Sequence, residues 1–381
     1  MKYKKIYYWS PSLVNIATNK AVINSSYSVS KYNKYYIPSI INFFGEFSKF
    51  KKELNEKKIN TIDYYDPNFI NFFPKYGKIN SRFSFLLIFM LSFFPLKNLL
   101  KKNKPEILII HLITSLPLML LIFFKFKTKF VLRISGLPKM NFFRKLLWKI
   151  AFKKIYKVTC PTKNTLSYIK SLNIISEDKL SLLYDPIINV AEVNLKKKQF
   201  KYNRSDYYIA VGRLTYQKNF LFLCKAFKEI ISKNKKIKLI IAGDGEDRDI
   251  LNNFINYNNL DKNIFLLGHV ENIFPYFVNA KAFILTSLWE DPGFVLVEAA
   301  FSRTLILSSD SGPGPTELIK RNFNGLVFQQ GNIDDFLINF KKSLNLQNLK
   351  SFKINALKNI KKFTIFSHYQ QLKNLILNNE Q

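Results

Sequence analysis

Two glutamates eight positions apart, Glu290 and Glu298, bracket a Pro-Gly turn in the stretch Trp289-Glu290-Asp291-Pro292-Gly293-Phe294-Val295-Leu296-Val297-Glu298. Carboxylates at such a turn could hold the hydroxyls of a ribose or a sugar. Backbone N–H groups at the start of the helix that follows could hold phosphate. A second loop, Gly212-Arg213-Leu214-Thr215-Tyr216-Gln217-Lys218-Asn219, places two cations five residues apart. Arg213 offers a planar fork and Lys218 a point charge, a pair suited to clamping a diphosphate. Gly243-Asp244-Gly245 is a tight turn into a helix, and Gly268-His269-Val270 offers exposed backbone for the edge of a base. Ser309–Glu317 is a further turn rich in Gly and Pro. Each loop alone also fits ordinary strand-to-helix turn chemistry. Five of them in this order, facing one crevice, are not accounted for that way.

The surrounding elements must aim these loops in one direction. Each loop follows a short apolar run with the character of a buried parallel strand, at 207–211, 238–242, 263–267, 282–287 and 304–308. Helical patterns over 219–233 and 248–257 alternate with them, which predicts a doubly wound parallel sheet of about five strands. Ligands lie at the carboxyl ends of the strands in such a sheet. Glu290 is then expected in a loop, and Glu298 about two turns into the helix. The first half alternates as well, with strands predicted at 5–9, 106–111, 130–134 and 157–161 and helices at 14–25, 141–152 and 163–171. Residues 31–78 give no clear pattern, and the stretch from Leu183 to Asn203 reads as a linker.

A chain of 381 residues with 48% hydrophobic side chains is long enough for two domains. Its formal charge of +33 is uneven: residues 1–186 hold 32 Lys and Arg against 9 Asp and Glu, the remainder 27 against 17. That asymmetry turns the first half towards a polyanion, either an anionic membrane surface or a nucleic acid. No nucleic-acid-binding module is visible, and the ligand-type loops sit in the less basic half, which favours the membrane. Two apolar runs, Ser84–Leu96 and Ile109–Phe124, contain prolines and are followed by lysines. Both fall short of the ~20 residues needed to cross a bilayer. They predict helices in the membrane interface with basic flanks; a buried core strand and helix fits the second run equally well. The first nine residues lack the apolar core of a signal peptide. Cys160 and Cys224 read as two buried thiols in a reducing compartment. His111, His269 and His368 are too scattered for a metal cluster.

The series GRLTYQKN, IAGDGE, LGHV, SLWEDPGFVLVEA and SGPGPTELI resembles the nucleotide-sugar-binding domain of retaining glycosyltransferases of the family-4 type. The resemblance covers about residues 205–330 and implies an α/β GT-B fold, two Rossmann-like doubly wound domains facing a central cleft. It divides the chain into an acceptor-binding, membrane-associating domain at 1–186, a donor-binding domain at 187–360 and a helix at 361–381 that crosses back to the first. It implies that Arg213 and Lys218 hold the donor diphosphate and, with Glu290, carry catalysis. Glu290 would contact the transferred sugar and Glu298 the ribose. Gly212, Gly243, His269, Val270, Gly293, Phe294 and Val295 would complete the donor site. The family has Gly after its first acid where this chain has Asp291-Pro292, and proline removes one backbone donor.

In the first half the family's Gly-rich loop is replaced by Ser10-Pro-Ser-Leu-Val-Asn15. Arg133, Ser135 and His111 are the acceptor-side candidates. For Arg133 the other reading is a structural ion pair, and for His111 a side chain satisfied by backbone. The implied activity moves a sugar with retention from a UDP- or GDP-linked donor to a lipid-linked or surface-glycan acceptor. The expected enzyme is cytoplasmic, peripheral on the inner face of the membrane, and needs no cofactor and no metal. A non-catalytic sugar-nucleotide binder and a basic nucleic-acid-binding protein are the alternatives.

Overall fold

The computed structural model describes residues 3–13, 17–74, 78–200 and 206–377. Val14 and Asn15 of the first loop and helix, Tyr202 and Asn203 of the linker, and residues 378–379 of the last helix lie outside the described residues. Contacts divide the chain into two units, Met1–Ile187 with Ile365–Gln381, and Ile188–Thr364.

The first unit runs β1 (Lys4–Trp9), α1 (Ala17–Tyr32), β2 (Tyr36–Asn42), α2 (Lys51–Glu56), β3 (Asn60–Asp63), α3 (Lys78–Asn103) and β4 (Ile107–Ile110). It continues with α4 (Ser115–Phe123), β5 (Lys129–Arg133), α5 (Phe142–Lys154), β6 (Lys157–Cys160), α6 (Lys163–Ser171) and β7 (Leu180–Leu182). The seven strands pair in parallel in the order β3-β2-β1-β4-β5-β6-β7. Alternate strand residues point to opposite faces. Tyr7, Trp9, Leu108, Ile110, Phe130 and Leu132 share a core with α3, α4 and α5. Ile6, Tyr8, Ile107, Ile109 and Val131 share the other with α1.

The second unit begins with α7 (Val190–Lys196), then alternates β8 (Tyr207–Val211), α8 (Phe220–Lys233), β9 (Lys238–Ala242), α9 (Arg248–Tyr257), β10 (Ile264–Gly268), α10 (Phe274–Asn279) and β11 (Ala282–Leu285). It closes with α11 (Phe294–Phe301), β12 (Leu305–Ser309), α12 (Pro313–Leu318), β13 (Leu326–Phe328), α13 (Ile333–Leu344) and α14 (Leu349–Asn359). Six strands pair in parallel in the order β10-β9-β8-β11-β12-β13. The order reverses between β8 and β11, the switch point where open α/β sheets leave a crevice. The sixth strand, β13, has only three residues, too few to register as a pattern.

The segment after Thr364, α15 (Ile365–Leu372) and a π-helical turn (Lys373–Leu377), packs on α1 of the first unit. Tyr32 meets Phe366 and Tyr369 with ring centroids 5.3 Å and 5.5 Å apart. His368 Nδ1 lies 2.7 Å from the Tyr184 carbonyl and must donate to it. Its Nε2, 2.9 Å from Ser25 Oγ, therefore accepts from that hydroxyl in a neutral ring. Burial pushes the His368 pKa down to about 4, in keeping with that state.

The two apolar runs behave differently from each other. Ile109–Phe124 splits into the buried strand β4 and the largely buried helix α4, so the core reading holds there. Ser84–Leu96 lies inside α3, whose segment Arg82–Asn103, 22 residues, is long and apolar enough to cross a membrane. This corrects the expectation of a run shorter than a bilayer. Pro95 did not end the helix, because the Leu91 carbonyl that a proline leaves unbonded accepts from Tyr65 Oη at 2.9 Å.

Candidate functional site

The site is assembled from five loops at the carboxyl edge of the second sheet, and backbone hydrogen bonds join each to its neighbour. Leu214 N donates to Asp244 O at 3.0 Å, and Gly243 N to Gly268 O at 2.8 Å. Leu288 N donates to Gln217 O at 2.8 Å, Glu290 N to Ser311 O at 3.1 Å, and Gly314 N to Glu290 O at 3.0 Å. These bonds give the loops one shared geometry, which a binding site on loops requires. Two glycines make it possible. A Cβ on Gly243 would lie 1.9 Å from the Gly212 carbonyl oxygen, and one on Gly314 would lie 2.3 Å from the Pro292 carbonyl oxygen.

At the switch point, Lys218 from the β8 loop forms a buried ion pair with Glu290 from the β11 loop. Ser287 Oγ donates to the same carboxylate at 2.8 Å, and Thr286 Oγ1 to the Lys218 carbonyl at 2.9 Å. Gln217 Nε2 adds a bond to the Trp289 carbonyl at 2.8 Å. Thr286, Ser287 and Gln217 were missed in the sequence reading; a Thr-Ser pair closing an apolar strand was the available signal. Arg213 is exposed, with no acidic partner among the described residues. The two cations of this loop thus differ: Lys218 is committed to Glu290, while Arg213 stands open to an anion.

Gly293, with φ of 82°, is the N-cap of α11, so the first N–H groups of Phe294 and Val295 sit at the positive end of the helix. The helix starts later than expected, which places Glu298 at its fifth residue, a little over one turn in rather than two. The Asp291–Pro292 peptide bond is cis. His269 is exposed just past β10, next to the half-buried Val270.

The first-unit candidates are placed otherwise. Arg133 ends β5 fully buried, ion-paired with Asp185 and donating to the Ile134 carbonyl. This is the geometry of the structural ion pair, with the Arg133 Nε left without a partner among the described residues. His111 follows β4 and is buried beside it. Burial, then the Arg133 and His368 charges, hold its pKa well below the ordinary histidine value. Ser135 is exposed, and its hydroxyl donates to the His111 carbonyl at 3.3 Å.

A doubly wound sheet with charged loops stitched together at its switch point defines an α/β ligand-binding unit of the nucleotide-binding type. Residues 192–359 match the model of the glycosyl transferases group 1 family. The second unit is similar to that family over those residues, and the chain has the GT-B fold, resembling bacterial surface-polysaccharide glycosyltransferases. An uncharacterized glycosyltransferase of Methanocaldococcus jannaschii is 31% identical over 59% of this chain and 61% of its own length. The chain thus spans less than two thirds of that relative. A Campylobacter jejuni enzyme, GalNAc-alpha-(1->4)-GalNAc-alpha-(1->3)-diNAcBac-PP-undecaprenol alpha-1,4-N-acetyl-D-galactosaminyltransferase, is 26% identical over 85% of this chain and 84% of its own. The crystal structure of Anabaena HepE in complex with UDP-glucose superposes with a TM-score of 0.69 at 14% identity, over 98% of this chain and 100% of that one.

Proposed function

We propose that the protein is a retaining glycosyltransferase that moves a sugar from a nucleotide diphosphate sugar to a lipid-linked or surface-glycan acceptor. The observation that carries this reading is the Lys218–Glu290 pair at the switch point, beside an open Arg213 and the α11 N-terminus. These groups can serve the parts of one donor. Arg213 and the first N–H groups of α11 would hold the diphosphate, Glu290 the sugar hydroxyls, and Glu298 the ribose. Gly212, Gly243, His269 and Val270 border the base and phosphate side.

In the reaction the bond between the anomeric carbon and the diphosphate oxygen breaks, and the bond to the acceptor oxygen forms on the same face. The departing diphosphate takes up negative charge, and it can accept the proton that the acceptor hydroxyl loses. Arg213 stabilises that developing charge, which is where electrostatic catalysis acts. Read this way, the transfer draws on no cofactor beyond the donor itself. The protein would work peripherally, on the cytoplasmic face of the membrane that carries its acceptor.

Incubating the purified protein with a panel of UDP- and GDP-sugars, and measuring nucleotide diphosphate release with and without a lipid-linked glycan, tests the reading. Release that Glu290→Gln and Arg213→Ala abolish supports it. Donor binding without release by the unaltered chain would instead make it a sugar-nucleotide binder.

A further inference from the structure

The helix α3 is apolar on all sides, yet only one side of it is covered. Ser84, Ile88, Ser92, Leu96 and Leu100, four residues apart in sequence, form a single buried stripe against the sheet. Leu86, Met90 and Phe94, with the same spacing, lie exposed on the opposite side. A helix apolar all round belongs in an apolar environment on all sides. Here the sheet supplies that environment for one side alone.

The helix α5 repeats the division with charge added. Trp148, Ala151 and Phe152 enter the core. Phe142 and Phe143, at the start of the helix, are 74% and 79% exposed, and Leu146 and Ile150 continue that apolar row. Lys145, Lys149 and Lys153 form a third row, also exposed. Between the two helices lies α4, which packs against both and ends in the exposed Phe123. Lys97 and Lys101 reach over the Phe124 ring that follows, at 4.7 Å and 5.5 Å. The two uncovered apolar rows therefore flank α4 on one layer of the first unit.

Charge singles out the occupant. Between Asp66 and Glu177 the chain holds 20 Lys and Arg and a single acid, Glu106, and Glu106 is itself paired with Lys129 at 3.0 Å. We infer that the uncovered rows of α3 and α5 dock on an anionic phospholipid bilayer, with α3 lying in the plane of the membrane. The apolar rows enter the acyl boundary while the lysines meet headgroup phosphates. The buried stripe excludes a spanning α3, since crossing would strip Ile88, Leu96 and Leu100 from the sheet they pack on. A nucleic acid would use the lysines and the rings, but it offers nothing to Leu86, Met90, Leu146 and Ile150. A second copy of the chain would bring like charge against like.

The inference gives a location to the lipid-linked acceptor of the proposed function and rests on that reading for its purpose, though its test needs no acceptor. The full chain is sedimented with vesicles of phosphatidylglycerol and phosphatidylethanolamine, with pure phosphatidylcholine vesicles, and with single-stranded DNA at matched salt. Binding to the anionic vesicles is expected, falling about tenfold or more in a Met90→Ser, Phe94→Ser, Phe142→Ser, Phe143→Ser variant. A Tyr257→Ser variant, altered at an exposed aromatic of the second unit, is expected to bind as the unaltered chain does. All four altered positions on the face are exposed, so circular dichroism should show the variant folded. Extraction of the bound protein from vesicles by alkaline carbonate is expected for a helix lying in the plane. Resistance to extraction, equal vesicle binding by the fourfold variant, or preference for DNA would each overturn the inference. Donor turnover by the fourfold variant without vesicles separates this outcome from failure of the proposed function.

Discussion

Lys218 and Glu290 are 72 residues apart in sequence and form a buried ion pair across the pair of strands at which the second sheet reverses its order. A buried pair is costly to break, because removing one partner leaves the other charge without its compensation. Lys218→Met and Glu290→Gln should each destabilise the second unit by about 3 kcal/mol, and the double variant by clearly less than the sum. Chemical denaturation of the three variants measures this. All three should lose donor turnover, so stability and activity separate in the double variant.

Arg213 sets up the opposite case. It is exposed and has no ion-pair partner among the described residues, so Arg213→Ala should leave stability within about 0.5 kcal/mol of the unaltered chain. Affinity for UDP, measured by calorimetric titration, should fall about tenfold or more, and Arg213→Lys should recover only part of it. Unchanged UDP affinity in Arg213→Ala would remove this residue from the site.

The Arg133–Asp185 pair predicts a different double-variant result. Arg133→Leu alone should destabilise the first unit by about 3 kcal/mol or more, since Asp185 would be left buried and charged. Replacing both residues with Leu should restore much of that loss. An acceptor contact made by Arg133 would instead show as a raised KM for the acceptor with stability intact.

Two buried groups in the first unit oppose each other in their response to pH. Glu46 lies in the loop after β2, where burial, aided by the nearby Asp63, raises its pKa to about 7. A raised acid contributes stability that is present below the unfolded value and is lost as pH rises through about 7. His368, lowered to about 4, does the reverse. Its contribution is complete above the ordinary histidine value and is lost as pH falls towards 4. The two windows nearly coincide, so each masks the other, on a scale of about 3 kcal/mol apiece. The Glu46→Gln variant should gain stability relative to the unaltered chain steadily as pH rises from about 4.5 to 7, then level off. Melting temperatures across that range test it; a flat difference would show that Glu46 does not titrate there.

The second unit was the more legible half, because each of its ligand-type loops follows an apolar strand of four or five residues and opens a helix. The helix start at Phe294 was misjudged, and Glu298 with it, since nothing local marks Gly293 rather than Pro292 as the cap. In the first unit, β2 carries Pro38 and β3 is a short strand with little burial, so neither shows the alternation of a strand. The Leu91 carbonyl that Pro95 leaves unbonded finds its partner, the Tyr65 hydroxyl, 26 residues upstream, where no local pattern shows it. The same limit applies to Arg133 and Asp185, 52 residues apart. Local pattern locates elements; which charges meet depends on how the sheet orders its strands.

The packing of α15 on α1 bears on how the chain is made. Tyr369, Leu372, Ile376 and Leu377 belong to the same core as Ile6, Tyr8, Val22 and Ile40, so that core is incomplete until the segment after Thr364 leaves the ribosome. The second unit is a continuous stretch of chain, closed on itself where Ile188 pairs with Thr364. It can finish folding while the earlier-synthesised unit still waits for its last helix. During synthesis the second unit therefore has its whole stretch of chain before the first unit does.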